Sequence, residues 1–229
     1  MPDADQIHVW SIELPDGGQV SASLTRRLSA EEAARAARFI FERDRARFTV
    51  AHAALREILA TYAREDAAAL RFLAAEKGKP YLPDHPDLRF NLSHSGSWAL
   101  VAIANGRDVG VDIEVMRGER PTVDIAERFF APAEIRELME TPENLRTQAF
   151  FACWSRKEAY IKARGEGLHI PLDSFAVSLS DVATLRNAED RERWTLCSLE
   201  APAGYQAALV AEGFGWGVKR FVWSGHPEI

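Results

Sequence analysis

The amino-acid sequence predicts an α+β fold. Segments with strand-like alternation or short apolar runs lie near both ends of the chain and in its middle, and two long stretches of helix-forming residues lie between them. The helical stretches begin alike, with Arg38-Phe39 in one and Arg128-Phe129-Phe130 in the other, and residues 98–102 resemble residues 205–211. This weak internal similarity suggests a duplication without deciding it.

Up to residue 104, the chain is predicted to hold a strand, a helical region and a strand pair. Residues 7–12 alternate like an opening strand and end at a Pro-Asp-Gly-Gly turn. Ser29 and Glu32 have the spacing of a capping box and predict a helix start. Helical sequence continues to about Tyr62, with a break near 42–44. Two strands are then predicted, at 88–93 and 98–104.

The second part of the chain repeats the mixture of strands and helices. A turn at Asn105-Gly106-Arg107 leads into a short apolar strand, and helices are predicted from about Val123 to Ala163. Within them, either Phe129 or Phe130 must face inward on any helix. Three strands are predicted to close the chain, near 175–179, 194–199 and 205–210.

Composition limits the classes of protein that fit. A chain of 229 residues with 47% hydrophobic content can bury one large core or two modest ones. The net charge of −6 argues against general binding to nucleic acid or to a membrane surface. Cys153 and Cys197 provide neither a disulfide framework nor metal-ligand spacing. An acidic start and the lack of a long apolar segment predict a cytoplasmic protein.

Two acidic residues follow the short apolar strand, in the run Gly110-Val111-Asp112-Ile113-Glu114. Residues i and i+2 of a strand point to the same side, so both carboxylates are expected to project from one face while Ile113 packs on the other. An Asp-x-Glu pair on an exposed strand is by itself usually only solvated charge. Its position directly after apolar strands makes it a candidate site.

A third carboxylate lies in a helical run that begins with Trp154 and ends with Lys162. Glu158 and Lys162 are one turn apart and share a helix face, although such pairs are commonly surface features. Carboxylate oxygens are the ligands that magnesium prefers, and a lysine beside them suits a diphosphate that is being cleaved.

The two runs together resemble the signature of the 4′-phosphopantetheinyl transferases of the surfactin-synthetase-activating (Sfp) type. That signature is Gly-x-Asp-x-Glu followed by Trp-x-x-Lys-Glu-x-x-x-Lys, and here Glu114 and Glu158 are 44 positions apart. Gly78-Lys79-Pro80 and the run 90–96, Phe-Asn-Leu-Ser-His-Ser-Gly, also match, in the family's order.

The resemblance implies a fold and an activity. The family is an intramolecular pseudo-dimer of two similar α/β halves, here 1–107 on the nucleotide side of coenzyme A and 108–229 on the metal side, with the active site in the cleft between them. It acts as a monomer. It transfers 4′-phosphopantetheine from coenzyme A to a serine of an apo acyl or peptidyl carrier protein and releases adenosine 3′,5′-bisphosphate.

The resemblance also implies roles for residues of the metal site. Asp112, Glu114 and Glu158 are expected to hold Mg²⁺, with Mn²⁺ as a substitute. Glu158 is the candidate base for the serine hydroxyl, either directly or through a water. Lys162 is expected to stabilise or protonate the leaving phosphate, and His94 to help to fix the diphosphate.

Coenzyme A binding is expected to involve several cations of the first half. The family places cations at Arg35 and Arg47, on the adenosine 3′-phosphate, although Glu32 and Phe48 stand where a related member carries a lysine and a small hydroxyl residue. The remaining expected contacts of the diphosphate and nucleotide are Lys79, Ser93, His94, Lys157 and Lys162.

The carrier protein is expected to dock beyond Glu114. In the resembled family the segment 117–123 contacts the carrier next to its serine, and Arg117 and Arg120 are expected to steer an acidic carrier helix. Two other classes remain open on the sequence. A magnesium-dependent hydrolase of a nucleotide diphosphate would use the same ligands but activate water, and a coenzyme A-binding module would not need Glu158.

Overall fold

The computed structural model describes residues 1–117 and 122–225. The helices are α1 (Ala22–Thr25), α2 (Ala30–Ala37), α3 (Glu42–Ala63), α4 (Thr122–Phe129), α5 (Pro132–Glu140) and α6 (Glu143–Arg164). The strands are β1 (Gln6–Glu13), β2 (Leu73–Ala74), β3 (Pro80–Tyr81), β4 (Leu88–Ser95), β5 (Trp98–Asn105), β6 (Val109–Val115), β7 (Ala176–Val177), β8 (Leu185–Arg186), β9 (Trp194–Leu199), β10 (Tyr205–Glu212) and β11 (Gly217–Trp223). Within the described ranges, no helix is long and apolar enough to cross a membrane.

The chain consists of two halves with the same architecture, which confirms the predicted α+β pseudo-dimer. The larger sheet has the order β11-β1-β5-β4 and the smaller one β6-β10-β9. β6, β10 and β9 pair antiparallel in the same succession as β1, β5 and β4. Each half also carries one helix of 22 residues, α3 or α6, preceded by a short helix.

The two sheets pack against each other through apolar side chains. Ile7 and Leu100 from the first sheet contact a buried cluster that includes Val111, Ile113 and Leu209 from the second. Two further clusters lie between α3 and the first sheet and between α6 and the second. Burial of apolar surface between the sheets therefore holds the halves together.

Most of the predicted elements are confirmed, including the capping box in which the Ser29 and Glu32 side chains accept each other's backbone N–H. The region predicted as helical from 123 to 163 is three helices, because Pro132 begins α5 and Pro142 precedes α6. The strand predicted near 175–179 is reduced to the two residues of β7.

The closing strand β11 was not predicted. It is an edge strand whose residues are mostly exposed, so it lacks the apolar alternation that marks a half-buried strand. It pairs parallel with β1, so this part of the predicted 108–229 half belongs to the sheet of the other half.

Candidate active site

Strand β6 carries the two acidic residues on the side predicted from their spacing. Ile113 between them is 1% exposed and lies in the apolar cluster between the sheets. Asp112 is 2% exposed, whereas Glu114 is partly exposed near the end of the strand. The neighbouring strand β4 belongs to the first half, so the site lies where the halves meet, as the fold prediction requires.

Helix α6 lies directly against β6 because Gly110 has no side chain. A Cβ atom at Gly110 would lie 2.2 Å from the Ala159 carbonyl oxygen and 2.3 Å from the Ala163 nitrogen. This close approach, which only glycine permits, places the face of α6 that carries Glu158 and Lys162 beside Asp112.

Three side chains meet at the centre of the site. Lys162 Nζ lies 2.5 Å from Asp112 Oδ1 and donates to Ser93 Oγ at 3.0 Å, while Ser93 Oγ donates to Asp112 Oδ1 at 2.8 Å. Burial alone would lower the pKa of Lys162, but the charge of Asp112 and its hydrogen bond outweigh burial and raise that pKa. Lys162 is therefore a protonated cation held on a carboxylate.

The other two carboxylates share this environment. Ser95 Oγ donates to Glu114 Oε2 at 2.9 Å. Burial raises the pKa of Glu158 to about 7; Lys162 opposes this, and the negative charges of Asp112 and Glu114 add to it. Three carboxylates close enough to repel one another are a site in which a cation would lower the energy.

Two features bear on whether a metal ion would fit this site: the arrangement of the carboxylates and one oxygen atom of Asp112. Among the described residues, no three His, Cys, Asp or Glu side chains are arranged as a preformed metal-ligand group. Asp112 Oδ2, however, is the buried side-chain polar atom that has no hydrogen-bond partner in the described part of the chain. An unpartnered buried carboxylate oxygen beside two further carboxylates suits a hard divalent cation, once Glu114 or Glu158 turns towards it.

Positive charges surround His94. The residue is exposed on β4, yet its neighbours displace enough water that desolvation is the first cause lowering its pKa, followed by the charges of His52, Lys162, Arg35 and Arg47. A neutral imidazole beside cations from both halves can donate a hydrogen bond to a polyphosphate.

The chain is similar to known protein families over most of its length. A family model described as the 4′-phosphopantetheinyl transferase superfamily matches residues 108–210, and one described as 4′-phosphopantetheinyl transferase, N-terminal, matches residues 16–106. The 4′-phosphopantetheinyl transferase HetI of a Nostoc species is 36% identical over 218 residues, which are 93% of this chain and 90% of that protein. The chain belongs to the 4′-phosphopantetheinyl transferase family.

Relatives from Bacillus subtilis agree with this assignment and with the predicted Sfp-type resemblance. A 4′-phosphopantetheinyl transferase is 40% identical over 183 residues, covering 80% of this chain and 75% of the relative. The 4′-phosphopantetheinyl transferase Sfp is 32% identical over 186 residues, covering 80% and 82%. The protein described here is therefore a phosphopantetheinyl transferase enzyme.

Lys157 of the transferase does not lie in the cleft, so its expected role as a phosphate ligand is corrected. Its side chain is 0% exposed and its ammonium lies 2.8 Å from Glu134 Oε2. It also donates to the carbonyl oxygens of Leu172 and Phe175, at 2.7 and 2.8 Å. The helix turns Lys157 away from Glu158 and into the core of the second half.

Lys79 joins the two halves of the transferase. Its ammonium donates to the carbonyl oxygens of Val109 and Ala163, at 3.0 and 2.9 Å, which uses two of its three N–H donors. Burial lowers its pKa to about 8. A cavity of about 360 Å³, lined by residues of both halves, lies beside its side chain.

The two arginines expected at the 3′-phosphate have different surroundings. Arg47 donates to the Pro15 carbonyl oxygen at 3.1 Å and to Asp16 Oδ1 at 2.7 Å. The guanidinium of Arg35 is exposed and lies 5.2 Å from the ring centre of Phe48. Phe48 in turn stacks on His52, with ring centres 4.0 Å apart.

Glu32, which stands where a related member carries a lysine, is paired with cationic and polar side chains of α3. Glu32 Oε2 accepts from Arg56 Nε at 2.6 Å, and His52 Nδ1 lies 3.2 Å from Oε1. Burial by itself would raise the pKa of Glu32, but hydrogen bonds from His52, the Ser29 backbone and Arg56 lower it to about 2. Its charge is thus balanced by Arg56.

Sequence reasoning missed Ser95 and Asn91. Together with Ser93 they form a polar row at i, i+2 and i+4 of β4, facing β6. The spacing predicts that the three side chains share one side of the strand, but it does not predict which strand they contact. Of the expected docking segment, Arg117 is exposed, and 118–121, with Arg120, lie outside the described residues.

Proposed function

We propose that this transferase uses Asp112, Glu114 and Glu158 to hold Mg²⁺, or Mn²⁺ in its place, while it moves 4′-phosphopantetheine from coenzyme A to a serine of an apo acyl or peptidyl carrier protein. One observation carries the proposal: Asp112, paired with Lys162, lies where the two halves join, and burial, its charge and that of Glu114 raise the pKa of Glu158, in a chain that belongs to this family. When bound, the cation offsets negative charge on the diphosphate. Asp112 Oδ2 is the oxygen that is available to it.

The transfer exchanges one phosphorus–oxygen bond for another. The carrier serine oxygen forms a bond to the phosphorus that carries pantetheine, and the bond from that phosphorus to the bridging oxygen breaks. The electron pair leaves with adenosine 3′,5′-bisphosphate. The proton of the serine hydroxyl must be removed by a base.

Glu158 is the proposed base. Burial and the neighbouring carboxylates raise the pKa of Glu158 to about 7 in the absence of a cation, and a carboxylate that ionises beside the bound cation can accept the serine proton. It can serve as both ligand and base if it binds the cation through one oxygen only.

Lys162 is proposed to neutralise the leaving phosphate. Its ammonium is already desolvated and protonated beside Asp112, so it needs little reorganisation when charge develops on the bridging oxygen. Ser93 Oγ, which contacts the same ammonium, is expected to lie beside the diphosphate.

The nucleotide end of coenzyme A is proposed to bind near His94, Arg35, Arg47 and Lys79. The partner of Arg47, Asp16, has a side chain that is 84% exposed, and exposed ion pairs are weak. Exchange of this carboxylate for a 3′-phosphate is therefore inexpensive, and guanidinium suits phosphate oxygens. Arg35 is exposed and can approach the same anion.

The assembly and the location belong to the same proposal. Both halves of the site come from one chain, as the contact between Ser93 and Asp112 illustrates, so a second copy is not required for the chemistry. We expect the transferase to act as a monomer in the cytoplasm and to bind neither nucleic acid nor membranes.

The test is to incubate the protein with Mg²⁺, coenzyme A and an apo carrier protein and to weigh the carrier by mass spectrometry. The carrier should gain the mass of one phosphopantetheine group, and the Asp112→Ala variant should be the inactive control. Cleavage of coenzyme A with an unchanged carrier would indicate a hydrolase. Binding of coenzyme A without cleavage would indicate a binding module.

A further inference from the structure

Strand β4 meets the free edge of β6 with side chains instead of its backbone. Three backbone N–H groups of β6 point away from β10 and towards β4. The Val111 N–H donates to Asn91 Oδ1 at 2.9 Å, the Ile113 N–H to Ser93 Oγ at 3.4 Å, and the Val115 N–H to Ser95 Oγ at 3.1 Å. The residues Asn91, Ser93 and Ser95 are called the β4 polar row below.

Each of the two serines of the β4 polar row makes a second hydrogen bond, to a carboxylate of β6. A hydroxyl has one proton, and each serine gives it to a carboxylate: Ser93 to Asp112 Oδ1 at 2.8 Å and Ser95 to Glu114 Oε2 at 2.9 Å. Each hydroxyl is thus fixed by the backbone on one side and fixes an acid on the other.

This arrangement decides which carboxylate oxygen stays available. Asp112 Oδ1 is occupied by Ser93 and Lys162, so Oδ2 is the buried oxygen left for a ligand. Ser95 holds Oε2 of Glu114 in the same way. Outer hydrogen bonds to metal-binding side chains commonly change metal affinity by about 10–100-fold when they are removed.

We propose that Ser93 and Ser95 are positioning residues, which orient Asp112 and Glu114 for the divalent cation. The inference rests on the proposed metal site. It assigns a role to Ser95 and changes the principal role of Ser93 from a contact of coenzyme A to an anchor of the acid. The serines belong to the first half and the acids to the second. The cation can therefore bind in this way only if the two halves are packed in this relative position.

Asn91 provides a matched control. It makes the same kind of bond to the edge of β6, but its neighbour on β6 is Val111 and not an acid. Asn91→Ala therefore removes a bond between the halves without freeing a carboxylate. Ser95→Ala removes the bond to the backbone of β6 and also the bond to Glu114, whereas Ser95→Thr retains the hydroxyl that makes them.

The experiment measures Mn²⁺ affinity by electron paramagnetic resonance, with coenzyme A present and no carrier protein, so that no transfer occurs. Thermal unfolding of each variant is measured alongside. Ser95→Ala should weaken Mn²⁺ binding about 10-fold, Ser95→Thr should restore most of it, and Asn91→Ala should leave it unchanged while losing comparable thermal stability. Ser93→Ala should weaken binding at least as much, because it also removes one of the hydrogen-bond acceptors of the Lys162 ammonium.

Two results would overturn the proposal in different ways. Equal Mn²⁺ affinity in Ser95→Ala and the unchanged protein, or an equal loss in Asn91→Ala and Ser95→Ala, would leave the serines as packing residues and keep the metal site. If the unchanged protein does not bind Mn²⁺, or if Asp112→Ala binds it equally well, the proposed metal site is wrong. The positioning role of the serines is then wrong as well.

Discussion

Lys162 Nζ lies 2.5 Å from Asp112 Oδ1, and this ion pair joins the long helix of the second half to its first strand. One partner is the proposed cation for the leaving phosphate and the other is a proposed ligand of the metal. The side chain of Asp112 is 2% exposed and that of Lys162 is 26% exposed. The proposed metal cation and the lysine would therefore be coupled through a single carboxylate.

Lys162→Ala should reduce kcat more than it weakens coenzyme A binding, because its charge matters most as the leaving group departs. We expect a loss in kcat of about 100-fold, as for other fixed groups that stabilise developing charge. Lys162→Arg, which keeps the charge, is the control in steady-state kinetics. Unchanged kcat with weaker coenzyme A binding would make Lys162 a simple binding residue.

Asp112→Ala and Glu158→Ala should each nearly abolish transfer, and Glu114→Ala should have an equal or milder effect. Asp112 and Glu158 come from separate elements, β6 and α6, and Asp112 is buried, whereas Glu114 lies near the end of its strand. Magnesium titration of each variant is the measurement. Near-normal activity of Glu158→Ala would exclude it as ligand and as base.

Glu32 should make the folded state sensitive to acid. Its pKa is about 2 in the folded state, below the ordinary 4.5, so its stabilising effect is complete above pH 4.5 and is lost as the pH falls towards 2. Glu32→Gln should lose about 2 kcal/mol at pH 7, and the difference from the unchanged protein should narrow below pH 4.5. Urea unfolding at several pH values measures this, with the exposed neighbour Glu31→Gln as control. A difference that does not vary with pH would contradict the assignment.

Lys157→Met should destabilise the fold, because it leaves the Glu134 side chain, which is 1% exposed, without its ion-pair partner. Breaking such a buried pair costs about 3–5 kcal/mol, and replacing both residues, as in Lys157→Met with Glu134→Gln, should recover part of the loss. Urea unfolding gives the stability, and the KM for coenzyme A should remain unchanged in the folded double variant. A raised KM there would return Lys157 to the phosphate site.

Charge reversal at Arg117 and Arg120 should raise the KM for the carrier protein and leave that for coenzyme A unchanged. Cations beyond Glu114 are expected to speed the encounter with an acidic carrier helix, and this effect weakens with salt. Arg71→Glu, an exposed site in the first half, is the control. If neither constant changes, the carrier docks on another surface.

Several features of the site were predictable because local periodicity decides them. The alternation of a strand places Asp112 and Glu114 on one side with Ile113 opposite, and the helix repeat places Glu158 and Lys162 on one face. The signature formed by these residues was sufficient to predict the family, the activity and the α+β pseudo-dimer.

Other features depend on contacts between residues that are distant in sequence. The helix repeat predicts that Lys157 points away from Glu158. It does not predict that Lys157 forms an ion pair with Glu134 in the core. The sequence likewise gave no sign that Lys79 would bind backbone carbonyls of the second half.

The sequence by itself determined which side chains share a face, since neighbouring residues on one element have fixed directions. Only the tertiary structure decided which faces meet: the β4 polar row lies against β6, and β11 returns to pair with β1. The physical reason is that burial of apolar surface between the two sheets sets their relative position, and this non-directional term depends on the whole packed core. The orientation of Asp112 by Ser93 follows from that packing and not from either segment alone.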